Sequence, residues 1–542
     1  MNDGVATPTA GAPRTTSSLA RGLTQPWLLA LVIVGVYAIS LGGGWLDYDD
    51  DWLVRDNERL GLRDASVLTS IASDFGRDTR LVLGAEYLPL RDLVTWIGRA
   101  WLDLDVLGFR LLCLAIYAGA CATLLVWSRR VAGPLETTST THASPLTFAI
   151  WLFALHPVHV ESVAWIAGLK DVLALLFVAL ALLAHASEER RVRWLAVLCV
   201  MLACASKSVA VVTPALLVLI DLGRRRRLDR PVIAATSAVA IAWAALHAWV
   251  GSIVGMYASP LGEGPIERVG SVAVVFARYV GLSFFVHPSS VVYDVEVHGL
   301  EASSIASVVA LVIATGLGAL AWRRGERAPL LALGWFVVAL LPTSQLVAPL
   351  QNRMADRYLL LAVLAPCLAL AVALDLALRR VRADLAALVV AASLLIVSGL
   401  SAVRAATFAD PIALFLEATQ RTEHDSDPPS LLGHALMAAQ QYEDAEFAYR
   451  MAIARDGFTT DHARRDGNSL GQLLAGLGRS EEAVELYATL VARYPDDPRV
   501  LHNLAVMEAR VGRTEDAARH QAELAHRFPD YRSGAPDRPG PL

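Results

Sequence analysis

Four carboxylates fall within five positions at Asp47-Tyr48-Asp49-Asp50-Asp51, just past an apolar run, with Asp56 and Asn57 close behind. Oxygen groups this close together have three possible uses. They bind a divalent cation, they include a general base whose proton affinity is tuned by its neighbours, or they form a solvated acidic turn. Cations recur further along the chain. The only two lysines, Lys170 and Lys207, lie beside or inside apolar stretches, Arg91 follows Tyr87-Leu88-Pro89-Leu90, and Arg357 sits in Met354-Ala355-Asp356-Arg357-Tyr358. Arginine grips phosphate through two parallel hydrogen bonds, whereas lysine acts as a compact charge. A carboxylate that takes a proton from an acceptor, facing cations that stabilise a departing phosphate, suits a lipid-phosphate-linked substrate. His156 and His159 flank Pro157, with Glu161 next. These are zinc-ligand types at a non-standard spacing, so the favoured reading is capping or hydrogen bonding in the cleft. No metal-ligand set is assigned; a divalent metal is compatible with the acidic cluster and is not required.

The elements that must position these residues are apolar. The chain has 542 residues, 55% hydrophobic and only 18% charged, with mean hydropathy +0.46, beyond the range of a soluble domain of this length. A net charge of -5 argues against a nucleic-acid partner. Cys113, Cys121, Cys199, Cys204 and Cys367 all fall in apolar runs and read as packing residues. The excess of arginine over lysine is that of a GC-rich bacterial genome. Residues 1–26, rich in Thr, Ser, Ala, Gly and Pro and carrying Arg14 and Arg21, are expected to be a disordered cytoplasmic tail. Apolar runs follow at 27–45, 107–128, 146–163, 169–186, 194–206, 208–222, 231–251, 303–321, 329–346, 357–378 and 384–404. The charge at Lys207, with Pro214 just beyond, divides 194–222 into a hairpin.

Basic turns test the threading. Arg129-Arg130, Glu188 to Arg193, Arg224 to Arg227, Arg323 to Arg327 and Arg379 to Arg382 all fall on the cytoplasmic side if the N-terminus is inside and about eleven helices cross. The stretch 270–287, with Arg278 in mid-run and His287-Pro288 at its end, must then be interfacial or re-entrant. This threading puts the loop 46–106, with thirteen acidic and seven basic residues, on the extracytoplasmic face of a multi-pass bacterial inner-membrane protein. His156 to His159, Ser206 to Ser208, Tyr293-Asp294 and Gln351 to Arg357 share that face with the C-terminal region. One outward-facing site would account for all of them.

Beyond about residue 410 the chain becomes charged and alanine-rich. Gly478-Arg479-Ser480-Glu481-Glu482-Ala483 recurs as Gly512-Arg513-Thr514-Glu515-Asp516-Ala517, an offset of 34 residues that Pro495 and Pro529, and Tyr494 and Phe528, also keep. A weaker copy runs through Tyr442-Glu443-Asp444-Ala445. This period predicts a tetratricopeptide-repeat α-solenoid over 410–532, with a disordered tail at 533–542. The fold class is therefore all-α: a polytopic membrane helical bundle at 27–405 followed by the solenoid.

Five segments resemble bacterial relatives of the transmembrane and tetratricopeptide-repeat-containing O-mannosyltransferases, in the GT-C glycosyltransferase superfamily. They are Tyr48-Asp49-Asp50 with Asn57; Tyr87-Leu88-Pro89-Leu90; Leu155 to Trp165 continuing to Lys170-Asp171-Val172-Leu173; Ser206-Lys207 with Thr213-Pro214 and Asp221; and Met354 to Tyr358. Their order is that of the family, and the likeness covers roughly 27 to 404. Arg91, Gly168-Leu169 and Ser208 depart from its pattern. The resemblance implies a GT-C-like bundle that takes a sugar, mannose above all, from a polyprenyl-phosphate carrier. The sugar would pass with inversion to an acceptor hydroxyl, such as Ser or Thr of a protein held by the repeats. It implies Asp49 or Asp50 as base, and Lys207 and Arg357 at the donor phosphate; Lys170 and Arg91, cations on the same face, are expected there on charge alone. Tyr48, Asn57, Tyr87, His156, His159, Glu161, Asp356 and Tyr358 would support the cleft. No glycine-rich nucleotide loop is present, in keeping with a lipid-linked donor.

Three other readings stand beside this one. A degenerate transferase body could anchor the repeats as a non-enzymatic scaffold for envelope assembly, against which the intact acidic and cationic motifs argue. A transporter would carry its charges near the midplane and show inverted hydropathy repeats, neither of which the chain displays. A transferase acting on a glycan or lipid fits the same residues.

Overall fold

The computed structural model describes residues 18–132, 144–285 and 288–532, which are helical with no strand among them. Most of the expected N-terminal tail and all of the C-terminal one lie outside the described residues. Ser18–Leu23, expected to be disordered, is instead a short helix. Its last residue, Leu23, is buried and accepts the indole N–H of Trp151 at 2.8 Å, so packing fixes the end of the tail.

Each apolar run is helical over most of its length. Among the described residues, five helices are long and apolar enough to cross a membrane: Val106–Val131, Ile166–His185, Arg230–Val254, Ala302–Arg323 and Ala383–Ala409. A sixth is gained if Pro145–Ala154 and Pro157–Ala164, bent by 47°, form one span. The bend is at Pro157, whose ring and missing N–H interrupt a helix. Pro26–Gly42, Ser208–Gly223, Ala328–Thr343 and Leu364–Leu378 are shorter apolar helices. Along Ala302–Arg323 and Ala383–Ala409 the apolar side chains are mostly exposed, Val312, Leu317, Leu395 and Ile396 among them. Water would not tolerate so continuous an apolar surface, and a lipid environment would.

The chain is extended at Lys207 (φ -154, ψ 132), between Arg190–Ser206 and Ser208–Val212. The two halves bring their far ends to the same place, where Arg193 Nε donates to Asp229 at 2.6 Å and Arg226 pairs with Glu188. Other basic turns meet at this end. Arg224 reaches the Arg130 carbonyl at 3.4 Å, and Arg225 the Gly325 carbonyl at 3.2 Å. The stretch expected to be interfacial is the helix Pro265–Ser283, which is not among the membrane-length apolar helices. It lies at the opposite end, where Arg278 donates to the Asp294 carbonyl at 2.7 Å and Tyr279 accepts the Ala355 N–H at 3.2 Å. His287 lies outside the described residues.

After Pro411–Arg421, three antiparallel helix pairs stack: Asp427–Ala438 with Tyr442–Asp456, Asp461–Gly476 with Ser480–Arg493, and Pro498–Arg510 with Thr514–Arg527. The repeated alanines Ala445, Ala483 and Ala517 are buried, where small side chains let the helices approach. The array docks on the end away from the basic turns. Asp294 accepts the Glu423 and His424 N–H groups at 3.0 Å, and Arg404 pairs with Glu417 at 2.9 Å.

Candidate active site

At that end a cavity of about 240 Å³ is walled by Asp49, Glu86, Lys170, Lys207, Arg357 and Tyr358, among others. Five chain segments supply these side chains, so each needs its own local device. Lys170 opens the helix Leu169–His185, directly after a tight turn at Gly168. A Cβ on Gly168 would lie 2.5 Å from the Ser162 carbonyl oxygen, which explains glycine at this departure from the family pattern. Opposite, Gly84 (φ +93) and Ala85 (φ +60) turn the chain so that Glu86 meets Lys170 at 2.7 Å. Burial alone would raise the Glu86 pKa, but Lys170 and His247 outweigh it and hold the carboxylate down at about 2. Lys207, freed from the helix by its extended backbone, pairs with Asp171. Glu161 takes the Arg357 guanidinium and also accepts the Arg357 backbone N–H at 2.9 Å. The guanidinium lies 5.3 Å from the Trp165 ring centre and 5.4 Å from that of Tyr358, while Lys207 Nζ is 5.9 Å from the latter. Each cation is thus fixed by one carboxylate and keeps further donors for a ligand.

Asp49 is half-buried in the wall and accepts the Trp52 indole N–H at 3.1 Å. Burial pushes its pKa up to about 6, against the pull of Lys170 and Arg357. It is ionised at neutral pH yet accepts a proton more readily than an ordinary aspartate, as a general base should. Asp50 differs. It is fully buried, and its two oxygens accept the backbone N–H groups of Leu46 at 3.2 Å and Ala167 at 2.9 Å. Burial pushes its pKa up to about 7. Asp50 therefore staples the acidic loop to the Trp165–Gly168 turn and is not in the cavity wall.

Other expected site residues act from behind the wall. Arg91, expected at the donor phosphate, is instead buried against Asp92 at 2.6 Å and the Leu83 carbonyl at 2.5 Å, where it braces the Gly84 turn. Asn57 bridges the Trp52 and Val82 carbonyls, and Tyr87 donates to the Ala72 carbonyl at 2.8 Å. His156 accepts the Val158 N–H and stacks on Phe285, 4.8 Å between ring centres. His159 hydrogen-bonds Tyr117 at 2.7 Å. Asp356 accepts from Tyr293; Tyr358, itself in the wall, donates its hydroxyl to the Asn352 carbonyl at 3.1 Å. Among the described residues no group of three or more His, Cys, Asp or Glu side chains is placed to hold a metal ion. Glu86, His247 and Trp52 line the cavity without having been singled out in the sequence. His247 did carry a signal, as an ionisable group within an apolar helix.

A second cavity of about 260 Å³ separates the acidic loop from the helix pairs. Asp47, Asp51 and Arg55 line one side, and Asp427, His434 and Asp466 the other. Tyr48 and Trp52 line both cavities. Tyr48 stacks on Trp165 at 5.2 Å, and its hydroxyl donates to Asn352 at 3.4 Å. The two aromatic side chains thus form a shared partition, with the Asp49 carboxylate hydrogen-bonded to one of them.

Comparison with known proteins bears on the helix pairs. A family model for the tetratricopeptide repeat matches residues 468–507, across the second and third pairs. No curated protein matches the chain.

Proposed function

We propose that the protein is a membrane glycosyltransferase that moves a sugar, mannose by family likeness, from a polyprenyl-phosphate carrier to an acceptor hydroxyl. The observation that carries this reading is the shared cavity of Asp49, Lys170, Lys207 and Arg357. Lys207 and Arg357 flank one aromatic ring and offer donors to an anionic phosphate. Asp49 accepts the proton of the acceptor hydroxyl as its oxygen attacks the anomeric carbon. The bond from that carbon to the phosphate oxygen breaks, and its electron pair leaves on the lipid phosphate, which the cations stabilise. Attack opposite the leaving group inverts the anomeric centre.

In this reading about eleven helices cross a bacterial inner membrane. The N-terminus and the basic turns face the cytoplasm, and the cavity and repeats face outward. The acceptor, a protein Ser or Thr, approaches through the second cavity, past Tyr48 and Trp52. Tetratricopeptide repeats generally bind polypeptides, which favours a protein acceptor over a glycan.

The test is sugar release or transfer from radiolabelled polyprenyl-phosphate-mannose by the full-length protein in lipid, with extracytoplasmic extract as acceptor. Wild-type turnover that disappears in a folded Asp49→Asn variant supports the assignment. Absence of turnover with any polyprenyl-phosphate sugar, or turnover equal in the variant, shifts the weight to a membrane-anchored repeat scaffold.

A further inference from the structure

The end of the molecule opposite the proposed active site holds a larger cavity, of about 350 Å³. Its walls are apolar and come from several helices, with Trp127, Leu219, Leu331, Trp335 and Leu368 among them. Its mouth carries Arg224, Arg225 and Arg327, and no carboxylate is among the described residues that line it. From Arg327 to Trp335 the wall runs eight residues of helix, roughly 12 Å in depth.

These three arginines differ from their neighbours. Arg193 and Arg226 at the same end are matched by Asp229 and Glu188. The three at the mouth hydrogen-bond backbone carbonyls and form no ion pair among the described residues, although Glu188 and Asp221 lie near enough to act on Arg224. Arg225 donates to Gly325 and Arg327 to Leu222, each at 3.2 Å. Among the described residues Arg224 hydrogen-bonds the Arg130 carbonyl, at 3.4 Å, and its buried Nε has no hydrogen bond. Arg225 also has a left-handed backbone (φ +54), a conformation arginine seldom adopts. Three guanidinium groups without a paired carboxylate, above a deep apolar cavity that no described carboxylate lines, match a ligand with a phosphate at one end and hydrocarbon at the other.

We infer that this cavity binds an anionic phospholipid, with one acyl chain among Trp127, Leu331 and Trp335 and the phosphate at Arg224, Arg225 and Arg327. The site lies at the opposite end from the Lys207 and Arg357 cavity, so the inference does not rest on the transferase reading.

The test incubates full-length protein in mild detergent with phosphatidylglycerol or phosphatidylcholine and measures retained lipid by native mass spectrometry. Wild type retains phosphatidylglycerol about tenfold more than phosphatidylcholine. The combined Arg224→Gln, Arg225→Gln and Arg327→Gln variant loses that preference, and a control carrying Arg379→Gln and Arg382→Gln keeps it. Ala332→Phe, which fills the cavity and leaves the charges in place, loses retention and the thermal stabilisation that phosphatidylglycerol gives wild type. Neither inorganic phosphate nor polyprenyl phosphate at equal concentration displaces the bound lipid. Equal retention of the two lipids, undiminished retention in Ala332→Phe, or displacement by either competitor overturns the inference.

Discussion

The Asp50 carboxylate accepts the Ala167 backbone N–H at 2.9 Å, joining the acidic loop to a turn 117 residues further along the chain. Its neighbour Asp49 faces the cavity. Adjacent aspartates thus divide into one that bonds a distant turn and one that lines the cavity, and single substitutions should separate them. Asp49→Asn is expected to fold normally and lose about 10²- to 10⁴-fold in turnover, the usual share of a general base. Asp50→Asn offers one acceptor oxygen to two buried N–H groups. It should destabilise the protein by about 1–3 kcal/mol, seen as a lower thermal midpoint. Equal turnover in wild type and Asp49→Asn would remove Asp49 from the chemistry.

The pH dependence of turnover should report the same carboxylate. Burial raises the Asp49 pKa to about 6. A base works only when ionised, so kcat/KM should climb as pH rises towards 6 and level off above it. Below that point the slope should be about tenfold per pH unit. A phosphodiester donor does not titrate in this window. A flat profile between pH 4.5 and 7.5 in stably folded protein would contradict the assignment.

Arg357 and Glu161 form a buried pair in which the carboxylate also holds the Arg357 N–H. Removing one partner leaves an uncompensated charge, so Arg357→Gln or Glu161→Gln alone should cost about 3–5 kcal/mol. The double variant should cost clearly less than the sum of the two. Arg357→Lys keeps the charge but loses the planar fork and the stacking on Trp165 and Tyr358. It should therefore raise KM for the lipid-linked donor more than it lowers stability. Additive stability losses would show that the pair is not coupled.

Local signals made much of this architecture legible. The apolar runs predicted helices where helices stand. The 34-residue offset led to stacked helix pairs, part of which the repeat family model matches. Lysine's rarity drew attention to Lys170 and Lys207, which share the cavity with Arg357. The sequence did not show which of two neighbouring aspartates would turn inward, because that depends on the distant Ala167 N–H. Nor did it show that Arg91 would be spent on Asp92 and the Leu83 carbonyl. Glu86 was missed because its partner Lys170 lies 84 residues away. The number of crossings is likewise not a matter of pattern alone. Pro157 bends one apolar run by 47°, and several helices are shorter than a bilayer is thick.

The partition between the two cavities offers the sharpest test of the acceptor path. The Trp52 indole N–H donates to Asp49 at 3.1 Å, and the same side chain lines the cavity facing the repeats. That hydrogen bond favours the ionised carboxylate and holds its pKa below what burial alone would give. Trp52→Phe removes the donor while keeping an aromatic ring in the wall. The ascending limb of the pH profile should then move to higher pH by up to about one unit. Trp52→Ala removes the wall as well and lets water reach the donor sugar. In that variant hydrolysis should rise at the expense of transfer, measured as free sugar against labelled acceptor. An unmoved limb in Trp52→Phe would deny the hydrogen bond a role in tuning the base. An unchanged ratio of hydrolysis to transfer in Trp52→Ala would mean that the acceptor reaches Asp49 by another route.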